Sequence, residues 1–138
     1  MSDFVAAVKE LARAFPIRIQ KVQLDEEHFG DASAVLSLSE IDLRFARDKG
    51  ELWSEILVPS ARSKWYLYGD VMNVLKIPFE ISSPNDLSPA MNAIVNHLCN
   101  HLREVQEAFG SANREETALQ LDRLVQCRVS KTFGLNTE

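Results

Sequence analysis

Two alternating apolar runs flank Asp48-Lys49-Gly50 inside the stretch Ile41 to Val58, IDLRFARDKGELWSEILV. Alternation broken by a short Gly-containing turn is the pattern of a β-hairpin. It is a tight constraint, because a slip of one residue would turn every apolar side chain to the wrong face. Ile41, Leu43 and Phe45 in one arm, and Leu52, Ile56 and Val58 in the other, predict the inward face, with Asp42 and Arg44 facing out. Gly50 suits the left-handed position of the turn. Trp53, Glu55 and Leu57 must then share the opposite face. A Trp and a Leu there require either a covering helix or loop, or an adhesive surface; cover is the plainer expectation.

The flanking sequence divides into strands before the hairpin and helices after it. Phe4, Val5, Val8, Leu11, Ala12 and Phe15 follow helical spacing after a possible Ser2 cap, and Pro16 ends that helix. Ile17, Ile19, Val22 and Leu24 predict a strand whose period breaks near Lys21, as a β-bulge would break it. A polar connection, Asp25 to Asp31, leads to a second strand through Ala34, Leu36 and Leu38. Beyond Val58, the aromatic run Trp65-Tyr66-Leu67-Tyr68 precedes Asp70, which predicts the cap of a short helix closed by Pro78. Ser88-Pro89 opens the most strongly patterned helix, with Met91, Ile94, Val95, Leu98, Leu102, Val105 and Phe109 on one stripe and Gly110 at its end. Asn113 and Glu116 predict a capping box for a last helix carrying Leu121, Leu124, Val125 and Val129 up to Gly134.

This order predicts an α+β fold: an N-terminal helix, a four-stranded antiparallel meander, a short helix, then a C-terminal αα-hairpin packed on the sheet. The 138 residues suit one domain, expected over 1–135, with 136–138 a loose tail. No run reaches the length of a membrane span, and Met1 to Phe15 lacks the basic start and apolar core of a signal peptide, so a cytoplasmic protein is expected. Cys99 and Cys127 form no CxxC pair and read as free thiols of a reducing compartment.

The formal net charge is −5, and it is unevenly spread: residues 1–60 carry 11 acids against 7 bases, residues 61–138 carry 9 against 8. Phosphate binding draws its affinity from Lys and Arg, so nucleic acid is disfavoured as a partner. The candidate chemical clusters are thin. His97 and His101, with Glu104, share a helix face at metal-chelating spacing, but Leu98 stands where a zinc-protease motif places its general base. His28 sits among Asp25, Glu26, Glu27 and Asp31 without the spacing of a calcium loop. Arg44, Arg47 and Lys49 are interleaved with Asp42, Asp48 and Glu51 and neutralise one another. Arg62 and Lys64 beside Trp65, Tyr66 and Tyr68 could stack on bases, but an aromatic anchor at the sheet edge is the plainer reading. No catalytic set, metal site or cofactor is expected.

Phe29-Gly30-Asp31, LSLSEIDLRFARDKGELWSEILV and WYLYGDVMNVL together resemble small bacterial immunity-type proteins of polymorphic and contact-dependent toxin systems. In that pattern an alternating strand leads to an R-x-R-D-[KR]-G hairpin, a Trp-containing strand, a helix start and two helices; Arg44 to Gly50 here reads RFARDKG, close to it. The resemblance covers residues 29–75 and the helical remainder in outline. It implies a non-enzymatic protein that binds and neutralises one cognate toxin domain by protein–protein contact. The expected contact residues are the acids Asp25, Glu26, Glu27, Asp31, Asp42 and Glu55, which suit a partner built to hold phosphates, with Trp53 and Leu57 as anchors. The alternative is a secretion-chaperone-like homodimer that holds an extended client against Trp53 and Leu57.

Overall fold

The fold begins with an amphipathic helix, α1 (Asp3–Ala14), whose Phe4, Ala7, Val8 and Leu11 are buried. The structure, a computed structural model, describes residues 3–25, 31–81 and 86–132, with backbone alone for Asp25 and 130–132. The expectations placed on Ser2, Glu26, Glu27, His28, Gly134 and the 136–138 tail lie outside the described residues.

Five strands follow in an antiparallel meander of order β1-β2-β3-β4-β5: β1 (Ile17–Asp25), β2 (Asp31–Leu38), β3 (Ile41–Asp48), β4 (Glu51–Val58) and β5 (Lys64–Leu67). The fifth strand corrects the expected four. It is only four residues long and passes straight into helix α2 (Tyr68–Val74), so its aromatic run is strand and helix start together. The β3–β4 turn has Lys49 at φ 51° and Gly50 at φ 82°, both left-handed, as a two-residue hairpin compatible with strand twist demands. The register of β1 on β2 shifts between Ile19 and Lys21, where the broken period predicts a bulge.

Alternation sorts the sheet into two faces. The inner one carries Ala34, Leu36, Ile41, Leu43, Phe45, Ile56, Val58 and Tyr66, all buried in one core with the helices. Each fully buried Leu, Ile or Phe stabilises the fold by about 1.5–3 kcal/mol. Helix α1 lies against β1 and against α3 (Leu87–Asn100); α2 lies against β4, β5 and α5 (Arg114–Thr132).

The C-terminal region departs from the expected hairpin of two helices. The chain breaks at His101 (φ −119°, ψ 20°), so the long stripe divides into α3 and a short α4 (Leu102–Ala108). Asp86, not Ser88, occupies the cap position of α3. Five residues, 109–113, separate α4 from α5. Asn113 donates its side-chain amide to the Glu107 carbonyl, closing the end of α4, and Thr117 Oγ1 donates to Ala108 O. Helix α5 then follows the segment 61–70 in step, from the loop before β5 through that strand into α2: Glu115 accepts from the Ala61 amide, Asp122 from the Tyr66 hydroxyl at 2.5 Å, and Arg128 forms a two-pronged ion pair with Asp70. Asp70 therefore holds α5 instead of capping α2, which has no side-chain cap. No helix among the described residues is long and apolar enough to cross a membrane.

Candidate partner-binding face

The outer face of the sheet stays clear of the helix layer. Of its described positions on β2, β3, β4 and β5 only Ser37 is buried, and Trp53 keeps 43% of its surface exposed. Among the described residues, the helix or loop expected to cover Trp53 leaves it exposed. The buried parts of the helices' apolar stripes pack on the inner face and on one another, while Leu119 and Val129 of α5 stay exposed.

The registers arrange this face in rows across the strands. One row runs Arg18–Ser37–Asp42 and, through the Leu43–Ile56 pair, on to Leu57 and Trp65. The next runs Lys21–Val35–Arg44–Glu55–Leu67. The last, at the hairpin end, holds Asp25 opposite Asp31 and Asp48 opposite Glu51, with Asp31 beside Asp48 by continuation of the Ala32–Arg47 register. Four acidic residues thus occupy one row of register positions, about 14 Å long, at one end of the sheet. Like charges directly opposite one another oppose strand pairing.

The expected contact residues do not all behave alike. Asp31, Asp42, Trp53, Glu55 and Leu57 share this face, and Asp25 occupies a register position on it. Asp42 Oδ1, however, accepts from Ser37 Oγ at 2.8 Å and Gln20 Nε2 at 2.8 Å, and Gln20 also reaches Ser37. Glu55 accepts from Arg44 Nε at 2.9 Å and pairs with Nη2 at 2.8 Å. These two acids serve the sheet itself. Asp31 accepts the Lys49 amide at 3.0 Å, and Asp48 and Glu51 are exposed. Leu57 is half-buried and borders a depression of about 160 Å³ shared with Asp42, Pro59 and Phe109.

Sequence reasoning assigned Arg44 to a neutralised charge cluster and Trp65 to an edge anchor. They meet instead on this face, with the guanidinium 4.5 Å from the Trp65 ring centroid. Their positions on one face followed from alternation alone; the rotation of Arg44 toward β5 did not.

The histidine pair resolves into a structural knot. His97 Nε2 donates to the Pro78 carbonyl at 2.8 Å, so Nδ1 accepts the Tyr68 hydroxyl at 2.7 Å. Phe79 packs edge-on against both rings, and the His101 ring lies 4.6 Å from that of His97. His101 pairs with Glu104 at 3.0 Å. Both His97 nitrogens are thereby used in pinning α3 to α2 and to the segment after it. Burial, then the nearby Cys99, pushes the Tyr68 hydroxyl well above the usual tyrosine range. Tyr66 is pushed the same way by burial, then by its hydrogen bond to Asp122 and that carboxylate's charge. Burial likewise raises the Cys99 thiol. Among the described residues no group of three or more His, Cys, Asp or Glu side chains is placed to hold a metal ion.

No family model, curated protein or solved structure matches this chain.

Proposed function

We propose that this protein is an immunity-type binder that neutralises a cognate toxin domain through the outer face of its sheet, without catalysis of its own. The observation that carries the reading is the pairing, on one uncovered face, of an exposed Trp53 with the row Asp25, Asp31, Asp48 and Glu51. An aromatic side chain that loses its remaining exposure on contact supplies anchor energy. A line of carboxylates supplies steering toward a basic surface, such as the phosphate-holding site of a nuclease. The like-charge pairs oppose folding of the isolated chain and are relieved when a cationic partner docks. The resemblance over residues 29–75 points the same way.

Co-expression with the polypeptide encoded immediately upstream tests the proposal. Protection of growth, together with a complex that co-purifies in fixed stoichiometry, is expected. Unchanged toxicity and no complex would sink it.

A further inference from the structure

We propose that two copies of this chain join along β1 to form a continuous ten-stranded sheet with a two-fold axis through Val22. Strand β1 is the longest of the sheet at nine residues, and among the described residues one of its edges is unpaired. An open strand edge presents a row of N–H and C=O groups to any complementary strand. Ile19, Val22 and Leu24 lie on the inner face, opposite Leu36, Ala34 and Ala32, yet keep 37, 37 and 52% of their surface exposed. Among the described residues this is an apolar strip that the helices leave only partly covered.

The occupant follows from the register. Counted by their partners on β2, the positions of β1 run Ile17, Arg18, Ile19, Lys21, Val22, Gln23, Leu24 and Asp25, with Gln20 as the extra residue of the bulge. An antiparallel second copy centred on Val22 places Val22 opposite itself, Lys21 opposite Gln23, Ile19 opposite Leu24 and Arg18 opposite Asp25. Every pair falls on one face. The inner pairs are apolar with apolar, and the outer pairs are polar, with the terminal one joining opposite charges. The bulge brings this about: in a regular strand centred on Val22, Ile19 would meet Asp25 and Gln20 would meet Leu24. An edge is usually blocked by a charge pointing inward; Lys21, by contrast, pairs on the outer face, opposite Val35. A two-fold contact must be complementary to itself, and β1 satisfies that in both polarity and charge.

Light scattering coupled to size exclusion, run on the full chain across micromolar to hundreds of micromolar, reads the result. A species of twice the 15.6 kDa chain mass is expected. Val22→Lys sets two ammonium groups against each other on the axis and should abolish it. Arg18→Asp makes two pairs repulsive and should weaken the dimer about tenfold, and the double change Arg18→Asp with Asp25→Arg should restore it to within about threefold. Circular dichroism identifies any variant that fails to fold, and the charge-swapped pair then decides. A wild-type monomer throughout the range, a dimer unaffected by Val22→Lys, or a swap that fails to restore association would each overturn the proposal. These outcomes read association alone; Asp25→Arg also alters the acidic row, so toxin neutralisation is measured separately on the wild-type chain and on Val22→Lys, which leaves the outer face unchanged.

Discussion

Arg44 lies over the ring of Trp65, 4.5 Å from its centroid, while its guanidinium holds Glu55 of the neighbouring strand. The stack joins β3 to β5 across β4, in the middle of the face assigned to the partner. It fixes a charged, planar platform beside Trp53 without leaving the charge uncompensated.

Removing that platform should cost stability as well as shape. Arg44→Ala is expected to lower the unfolding free energy by about 1 kcal/mol, from a partly exposed cation–π contact and ion pair. Arg44→Lys should recover less than half, because an ammonium lacks the planar fork. Urea unfolding of the three proteins checks this.

Trp53 makes a different demand. Its exposure means that Trp53→Ala should leave urea unfolding within about 0.5 kcal/mol of wild type. The same change should weaken toxin binding by about 2 kcal/mol, or roughly thirtyfold, measured by titration calorimetry. A large loss of stability with unchanged binding would contradict the assignment of this face.

The acidic row should act on rate. Replacing Asp48 and Glu51 by Lys is expected to slow association at least about tenfold at low salt and to flatten its ionic-strength dependence, with little change in dissociation. Stopped-flow mixing with the partner separates the two constants.

Alkali should unfold this chain sharply. It has two tyrosines, Tyr66 and Tyr68, and both are held protonated above their ordinary range in the folded state. The unfolded chain releases those protons near pH 10, so the folded state binds more protons above that point. Stability is therefore complete below about pH 10 and falls as pH rises past it. Absorbance at 295 nm should show tyrosinate only as circular dichroism reports unfolding, and Tyr66→Phe should soften the transition.

The ion pair between Arg128 and Asp70 ties the second half of α5 to the start of α2. Asp70 is buried whereas Arg128 is half exposed, so Arg128→Met should destabilise by about 1–2 kcal/mol after allowance for solvent screening. Hydrogen exchange should rise in α5 beyond Asp122 and stay unchanged in β2 and β3.

The meander was legible because its signals are local. The Lys49-Gly50 turn, the two-residue period of β2 to β4 and the break near Lys21 each lie within a few residues of what they specify. Strand β5 escaped because its four residues pass into helix with no breaker between them, so Tyr66 and Tyr68 read as one aromatic run. The division at His101 escaped because Leu98, Leu102 and Val105 continue the apolar spacing through it. Asp70 read as a cap because its real partner, Arg128, is 58 residues away, and no spacing rule joins them. On the candidate face, alternation placed Trp53, Asp42 and Glu55 together. Only the three-dimensional arrangement shows that Asp42 and Glu55 are consumed by Gln20, Ser37 and Arg44.

The two borders of the sheet are unequal: nine residues of β1 on one side, four residues of β5 turning at once into a helix on the other. A short border is a poor template for further strands. Growth by strand addition therefore has one direction open to it, and a single joining event uses it up. A contact made along β1 would leave only the short β5 borders open, which limits continued strand addition.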